Sequence, residues 1–266
     1  MQFLIKEINN MAENQYAFPT EVLSLPSKGL LYPKDSPLSK GVIDVKYMTA
    51  KEEDILTSQN LIQQGVVIDR LLDSVIATEG VKLGDLLIGD KNAIMIGTRV
   101  LGYGKDYPVQ LTDPDTGEQV ETEIDLTKLE NTKFDESVFK GENKFSFTLP
   151  NSKKVLEFKL LTHSDEEQVD ALLQQYEKIS SVTGVSNEMT LRLKHQILSV
   201  DGETDQKIID DFVDNQFLAL DTREFRKYIQ SIQPDVDISI NYKSKIGNFH
   251  KIPISLGIDF FWPAGE

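Results

Sequence analysis

The chain has 266 residues, with 28 Lys and Arg against 43 Asp and Glu and a formal net charge of −15. Such a surface repels nucleic-acid phosphates and anionic lipid headgroups alike, so charge argues against both as partners. With no cysteine in the chain, disulfides, a thiol nucleophile, an iron–sulfur cluster and cysteine-ligated zinc are excluded.

The first ten residues, MQFLIKEINN, carry one lysine and a short apolar run. That is too short for a signal peptide and lacks a cleavage pattern. Met11 is an alternative start. No run approaches the roughly 20 apolar residues that span a bilayer. Residues 1–40 read as an extended arm, because Pro19, Pro26, Pro33 and Pro37 forbid a continuous helix. Phe18, Val22, Leu23, Leu25, Leu30, Leu31 and Tyr32 make that arm apolar, so it must lie on something, its own body before a neighbour.

Residues 41–105 read as a strand plus a helical block. Ile43, Val45 and Tyr47 alternate with Asp44 and Lys46 as in a half-buried strand. Thr49 and Glu52 form a capping box for the helix that follows. Ile68, Leu71, Leu72, Val75 and Ile76 stripe a second helix. Residues 89–104, GDKNAIMIGTRVLGYG, predict a third, apolar nearly all round and hence central, ended by Gly102 or Gly104.

Residues 106–161 read as a β-rich insert of ribbon-like hairpins. Val120, Thr122, Ile124 and Leu126 face one way, and Glu121, Glu123 and Asp125 the other. Phe145, Phe147 and Leu149 pair through a PNSK turn with Leu156, Phe158 and Leu160. Residues 162–234 are a second helical block. Ser164–Glu167 (SDEE) predict its capping box, and Val169, Leu172, Leu173, Tyr176 and Ile179 its first stripe. Met189, Leu193 and Ile197 mark a further helix, Ile208, Ile209, Phe212 and Val213 another, and an Asp221-capped helix carries Phe225, Tyr228, Ile229 and Ile232 up to Pro234. Residues 235–266 return to β, with Val236, Ile238, Ile240 and Tyr242 alternating, then Ile252, Ile254, Leu256 and Ile258, then the tail GIDFFWPAGE. Helices and strands segregated in blocks give an α+β fold.

Signals for catalysis are weak. His163, His195 and His250 lie in three different elements, and none shows a partner His or Glu at metal-site spacing on a helix face. Asp115-Thr116-Gly117 is the aspartic-protease tripeptide, but Pro114 before it and Glu118 after it make it turn chemistry. A calcium loop starting at Asp113 would place Glu118 and Ile124 where it needs Gly and Glu. The glycines of 84–90 and 102–104 lack phosphate-loop order. No catalytic, cofactor or metal site is expected, leaving an Asp113–Asp115 acid pair as the one hydrolase alternative.

Three pieces carry a resemblance: residues 25–56, opening with Leu25, Pro26, Ser27, Gly29, Tyr32 and Pro33; residues 86–109, with Gly89, Asp90, Lys91 and Asn92 opening a helix; and residues 252–263, closing with Phe260, Phe261, Trp262 and Pro263. Together they resemble the baseplate hub and hub-assembly proteins of T4-like contractile-tailed bacteriophages, over almost the whole chain. The resemblance implies a non-enzymatic part in building a phage baseplate hub, in the virion or in the host cytoplasm during assembly. Its partners are other hub or tail proteins, with no nucleic acid, membrane or small-molecule substrate. The alternative is a transient assembly chaperone absent from the mature particle. Some relatives carry cysteine pairs in the middle β segment, suggesting a zinc ribbon; with DPDTGE at that turn here, no metal is expected and hairpin packing alone would hold it. The expected interface is Phe18, Leu25, Pro26, Leu30, Tyr32 and Pro33 from the arm and Phe260, Phe261, Trp262 and Pro263 from the tail, on the same chain or on a neighbour.

Overall fold

Alternation at 42–46 yields a strand, and its partner is the arm itself. The structure, a computed structural model, describes residues 19–139, 141–180 and 187–261. Strand β1 (Thr20–Ser24) pairs antiparallel with β2 (Val42–Lys46), with Thr20 opposite Lys46. This hairpin crosses residue 40. Leu23, Leu25, Leu31, Tyr32 and Leu38 of the arm are buried with Ile43 and Val45 in one core.

Thr49 and Glu52 form the expected box at the start of α1 (Ala50–Thr57). The Glu52 carboxylate also accepts from Ser74 Oγ at 2.6 Å and faces Lys46 Nζ at 3.3 Å. Burial opposes its charge, but these bonds win and hold it down at about 2. Helices α2 (Gln59–Gln64) and α3 (Val67–Val75) follow, and α3 buries Val67, Leu71, Leu72 and Val75. Helix α4 (Ile88–Tyr103) is buried on all sides from Gly89 to Arg99 apart from Lys91 and Asn92, which are half-buried, and ends at Gly104. Its apolar circumference makes it the centre of the molecule.

Two hairpins flank this centre. β3 (Asp106–Thr112) pairs with β4 (Gln119–Asp125), and β8 (Ser239–Lys243) with β9 (Phe249–Pro253). The PNSK hairpin sets β5 (Phe145–Thr148) against β6 (Val155–Phe158), with Phe145 opposite Phe158 and Phe147 opposite Leu156. β6 takes a third strand, β7 (Ile197–Val200).

Five details differ from the sequence reading. Helix α5 (His163–Ser180) is capped by Thr162 with Asp165, not by Ser164 with Glu167: the Asp165 carboxylate accepts from Thr162 N and Oγ1, both at 3.0 Å. Ile197 does not continue α6 (Glu188–Gln196) but opens β7, because the β6 edge offers it a ladder. Asp221 lies inside α8 (Ala219–Ile232) rather than capping it, and its buried carboxylate accepts from Asn151 N at 2.8 Å, Asn151 Nδ2 at 2.9 Å and Ser152 N at 3.0 Å. Tyr176, Met189 and Ile208 stay exposed although their spacing matched an apolar stripe. Between β7 and α8 lie α7 (Gln206–Asp211) and a π turn, Phe212–Gln216. After β9, Ile258 sits in a 3-10 turn (Ile258–Phe261) rather than in a strand.

Candidate functional site

The motif residues of the arm converge on one carboxylate. Residues 25–32 form a chain of tight turns in which Gly29 takes φ +76° and a Cβ there would lie 2.4 Å from Ser39 O. Only glycine meets both demands. The turns aim Ser27 and Tyr32 at Asp90 in the first turn of α4. Asp90 accepts from Ser27 N at 2.9 Å, Ser27 Oγ at 2.6 Å and the Tyr32 hydroxyl at 2.6 Å. The same hydroxyl accepts from Leu87 N at 2.9 Å, occupying a free donor at the helix start. Burial pushes the Asp90 carboxyl up while the Ser27 and Tyr32 bonds pull it down, and burial wins. Burial and the neighbouring Asp90 charge push the Tyr32 phenol up, so it stays a donor.

The tail meets the other end of the same helix. Phe260 and Phe261 are each 1% exposed and stand edge to face, and Phe260 also contacts Tyr107 with ring centroids 5.0 Å apart. Arg99 donates from Nε to Phe260 O at 3.1 Å, and its guanidinium lies over Tyr103 and Tyr107 at 5.0 and 5.7 Å. No carboxylate pairs with Arg99 among the described residues; burial lowers its pKa, and aromatic faces and carbonyls stabilise the charge instead.

The structure therefore seats Leu25, Pro26, Tyr32, Phe260 and Phe261 within this chain, whereas Leu30 and Pro33 remain on the surface. Phe18, Trp262 and Pro263 lie outside the described residues.

The polar clusters have structural partners. Asp113 ties the β3–β4 turn through Oδ1, accepting from Asp115 N and Thr116 N. Through Oδ2 it accepts from the Tyr242 hydroxyl at 2.8 Å and from Lys245 N at 3.2 Å. Asp115 contacts His250 Nε2 at 2.9 Å and accepts from Asn248 Nδ2 at 3.1 Å. The hairpins are thus joined by side chains at their tips, a contact that expecting hairpin packing alone overlooked. Both acids of the hydrolase alternative are engaged in this clasp.

His163 corrects another reading, because Glu167 does lie four residues on, 4.0 Å from Nε2, with Asp69 Oδ1 at 3.0 Å. The three could ligate one cation. Lys91 Nζ already stands there, 2.8 Å from Asp69 Oδ1 and 3.0 Å from His163 Nδ1, so an ammonium fills the place of a metal ion. Burial raises the Asp69 carboxyl, and His163 and Lys91 together lower it further. The signal for this cluster, the His163–Glu167 spacing, was in the sequence; Asp69 and Lys91 are brought to it by tertiary contacts alone.

Among the described residues no helix is long and apolar enough to cross a membrane. Comparison with curated proteins and with solved structures returns no match. The family described as T4 bacteriophage base plate protein matches residues 30–262, which contain Tyr32 and Pro33 of the arm motif, all of α4 and Phe260 to Trp262 of the aromatic end. The chain belongs to this family of phage baseplate proteins.

Proposed function

We propose that the chain is a non-enzymatic structural or assembly protein of the baseplate hub, acting through interfaces with other hub and tail proteins. The family match across residues 30–262 carries this reading, and the resemblance of the arm, α4 and tail motifs to hub proteins adds the hub to it. Docking falls to Leu30 and Pro33 on the exposed side of the arm, and to Phe18, Trp262 and Pro263. Leu25, Pro26, Tyr32, Phe260 and Phe261 instead hold the arm and the tail against their own chain. Trp262 is the anchor of choice, since tryptophan is enriched among interface hot spots. Trp262→Ala is expected to weaken assembly or folding; an unchanged melting point together with unchanged incorporation would overturn that role.

The second reading is a transient escort, favoured by the net charge of −15, which keeps an unassembled protein soluble and off nucleic acid. Quantitative mass spectrometry of purified phage separates the two. A fixed, small copy number relative to a hub subunit supports a built-in component. Abundance in infected cells with absence from particles supports the escort.

A further inference from the structure

The β3–β4 and β8–β9 hairpins lie side by side and are joined at both ends. At the base, Asp237 N donates to Glu130 O at 2.7 Å and Thr132 N to Asp235 O at 2.8 Å. At the tips, Asp113 accepts from Tyr242 and Lys245. Between these joints β4 and β8 are not paired with each other. A cleft of about 710 Å³ separates them, walled by residues 122–125 and 239–243. The lining residues are consecutive rather than alternate. Because side chains alternate across a strand, strand edges and not faces form the walls.

The ladders show which backbone groups face the cleft. Leu126 N bonds Lys105 O and Asp113 N bonds Glu118 O, so the bonded pairs of this hairpin use the even residues of β4. Glu121 and Glu123 therefore direct their backbone groups away from β3. In the other hairpin, Ile254 N bonds Ile238 O and Ser244 N bonds Asn248 O, so Ser239, Asn241 and Lys243 direct theirs away from β9. The flanking outward groups on this side, Asp237 N and Lys245 N, are satisfied by Glu130 and Asp113. No hydrogen bond among the described residues satisfies the backbone N–H groups of the five between. The outer edges are treated differently. Pro108 on β3 and Pro253 on β9 occupy outward-facing positions, which blunts those edges against further pairing. The inner edges carry no proline.

We propose that this slot is a strand-acceptor site. An extended segment of another protein of the assembly enters between β4 and β8 and bonds to both edges, completing a five-stranded sheet. One row of its side chains lies beside Thr122, Ile124, Ile240 and Tyr242. The other lies beside Glu121 and Glu123, which form no ion pair among the described residues, whereas Asp125 is held by Lys105 and Lys128. The occupant is therefore a strand alternating apolar with basic residues, its basic row set toward Glu121 and Glu123 rather than toward Lys243 on the opposite wall. This inference rests on the reading of the chain as a baseplate component.

Hydrogen exchange, read residue by residue, tests it on the free chain and on the chain inside purified baseplates. In the free chain the amides of Glu121, Glu123, Asn241 and Lys243 should exchange at least tenfold faster than those of Thr122, Ile124, Ile240 and Tyr242. In baseplates the two sets should become equally slow. Glu123→Pro and Asn241→Pro, which remove cleft-facing donors without breaking a bond of either hairpin's ladder, should cut incorporation at least tenfold with melting points within a few degrees of wild type. Gln110→Pro on the outer β3 edge should not. Absence of the chain from baseplates would defeat the reading as a built-in component, and this inference with it. Presence with the four amides still fast would defeat the acceptor site, as would wild-type incorporation of both cleft variants. Slow exchange in the free chain, or a cross-link from Lys243 to residues 1–18 of this chain or a second copy, would assign the slot to the protein's own terminus and overturn the proposal.

Discussion

Gly89→Ala is a substitution that helix propensity alone expects to help, by at most about 1 kcal/mol. The structure reverses the sign. A Cβ at residue 89 would lie 2.0 Å from Pro234 O, 2.7 Å from Asp235 Cα and 2.9 Å from Pro234 C. All three are backbone atoms, so no side chain can swing aside. Relief to van der Waals distance requires the 234–235 segment to retreat by more than 1 Å. That segment is held by Asn92 Nδ2 to Asp235 Oδ1 at 3.0 Å and by Thr132 N to Asp235 O at 2.8 Å, and Asp237 N to Glu130 O follows directly. Overpacking costs about 1–3 kcal/mol and each strained hydrogen bond about 1 kcal/mol, for a net destabilisation of roughly 2–4 kcal/mol. At about 2–4 °C per kcal/mol for a chain of this size, the melting point should fall by about 5–15 °C. Gly102→Ala is the control, because its Cβ meets only the Met48 side chain, with Sδ at 2.8 Å, and that flexible thioether can move. Calorimetry of both variants decides. A Gly89→Ala protein as stable as wild type, or one no worse than Gly102→Ala, would refute the close approach of α4 to the chain leaving α8.

Tyr32→Phe removes one donor from Asp90 and strands the Leu87 amide, costing about 2 kcal/mol and several degrees of melting temperature; an unchanged melting curve would contradict the Asp90 seat. Asp221→Ala should destabilise by roughly 2 kcal/mol and release the Asn151 and Ser152 amides to exchange, whereas loss of helicity in α8 without that release would indicate a capping role after all. Burial raises Asp113, but its bonds to Tyr242, Asp115, Lys245 and Thr116 prevail and hold it at about 2. A depressed carboxyl stabilises the fold above the ordinary carboxylate range, near 4, and loses that contribution as pH falls toward 2. Lys245 amide protection, followed by NMR from pH 6 to pH 2, should therefore decline over that window, and constant protection would disprove the clasp.

Wherever burial follows from local period, the sequence was legible. The alternation at 42–46, the stripe of α3, the all-round apolarity of α4 and the hairpin about the PNSK turn each follow from side-chain direction on a helix or strand. The misreadings share a cause. Asp221 has the spacing of a local cap, yet its partners lie about 70 residues away. Thr162 and Ser164 are equally good cap residues in isolation, and the antiparallel bridge between Leu87 and Thr162 fixes where α5 starts. Residues 197–200 follow a helix without a break, and only the β6 edge makes them a strand. The Asp90 seat was half visible: the residues that carried the resemblance were the right ones, but nothing in their spacing paired Ser27 and Tyr32 with a carboxylate about 60 residues on.

That pairing bears on how these motifs act in this chain. The arm motif fastens to the first turn of α4 through Asp90, and the aromatic end fastens near its last turn through Arg99. Motif residues that look like docking groups in sequence are thus committed to one helix of their own chain. Burying an aromatic ring stabilises by about 25 cal/mol per Å² wherever the burial occurs, and area already covered by α4 is unavailable to a neighbour. On the proposed reading, docking then falls to what the seats leave exposed, namely Leu30 and Pro33 and the free strand edges. A motif variant that lowers both stability and assembly consequently reports on the seat. A variant at an exposed edge that lowers assembly alone reports on the partner, and the Asn241→Pro and Tyr32→Phe pair distinguishes the two.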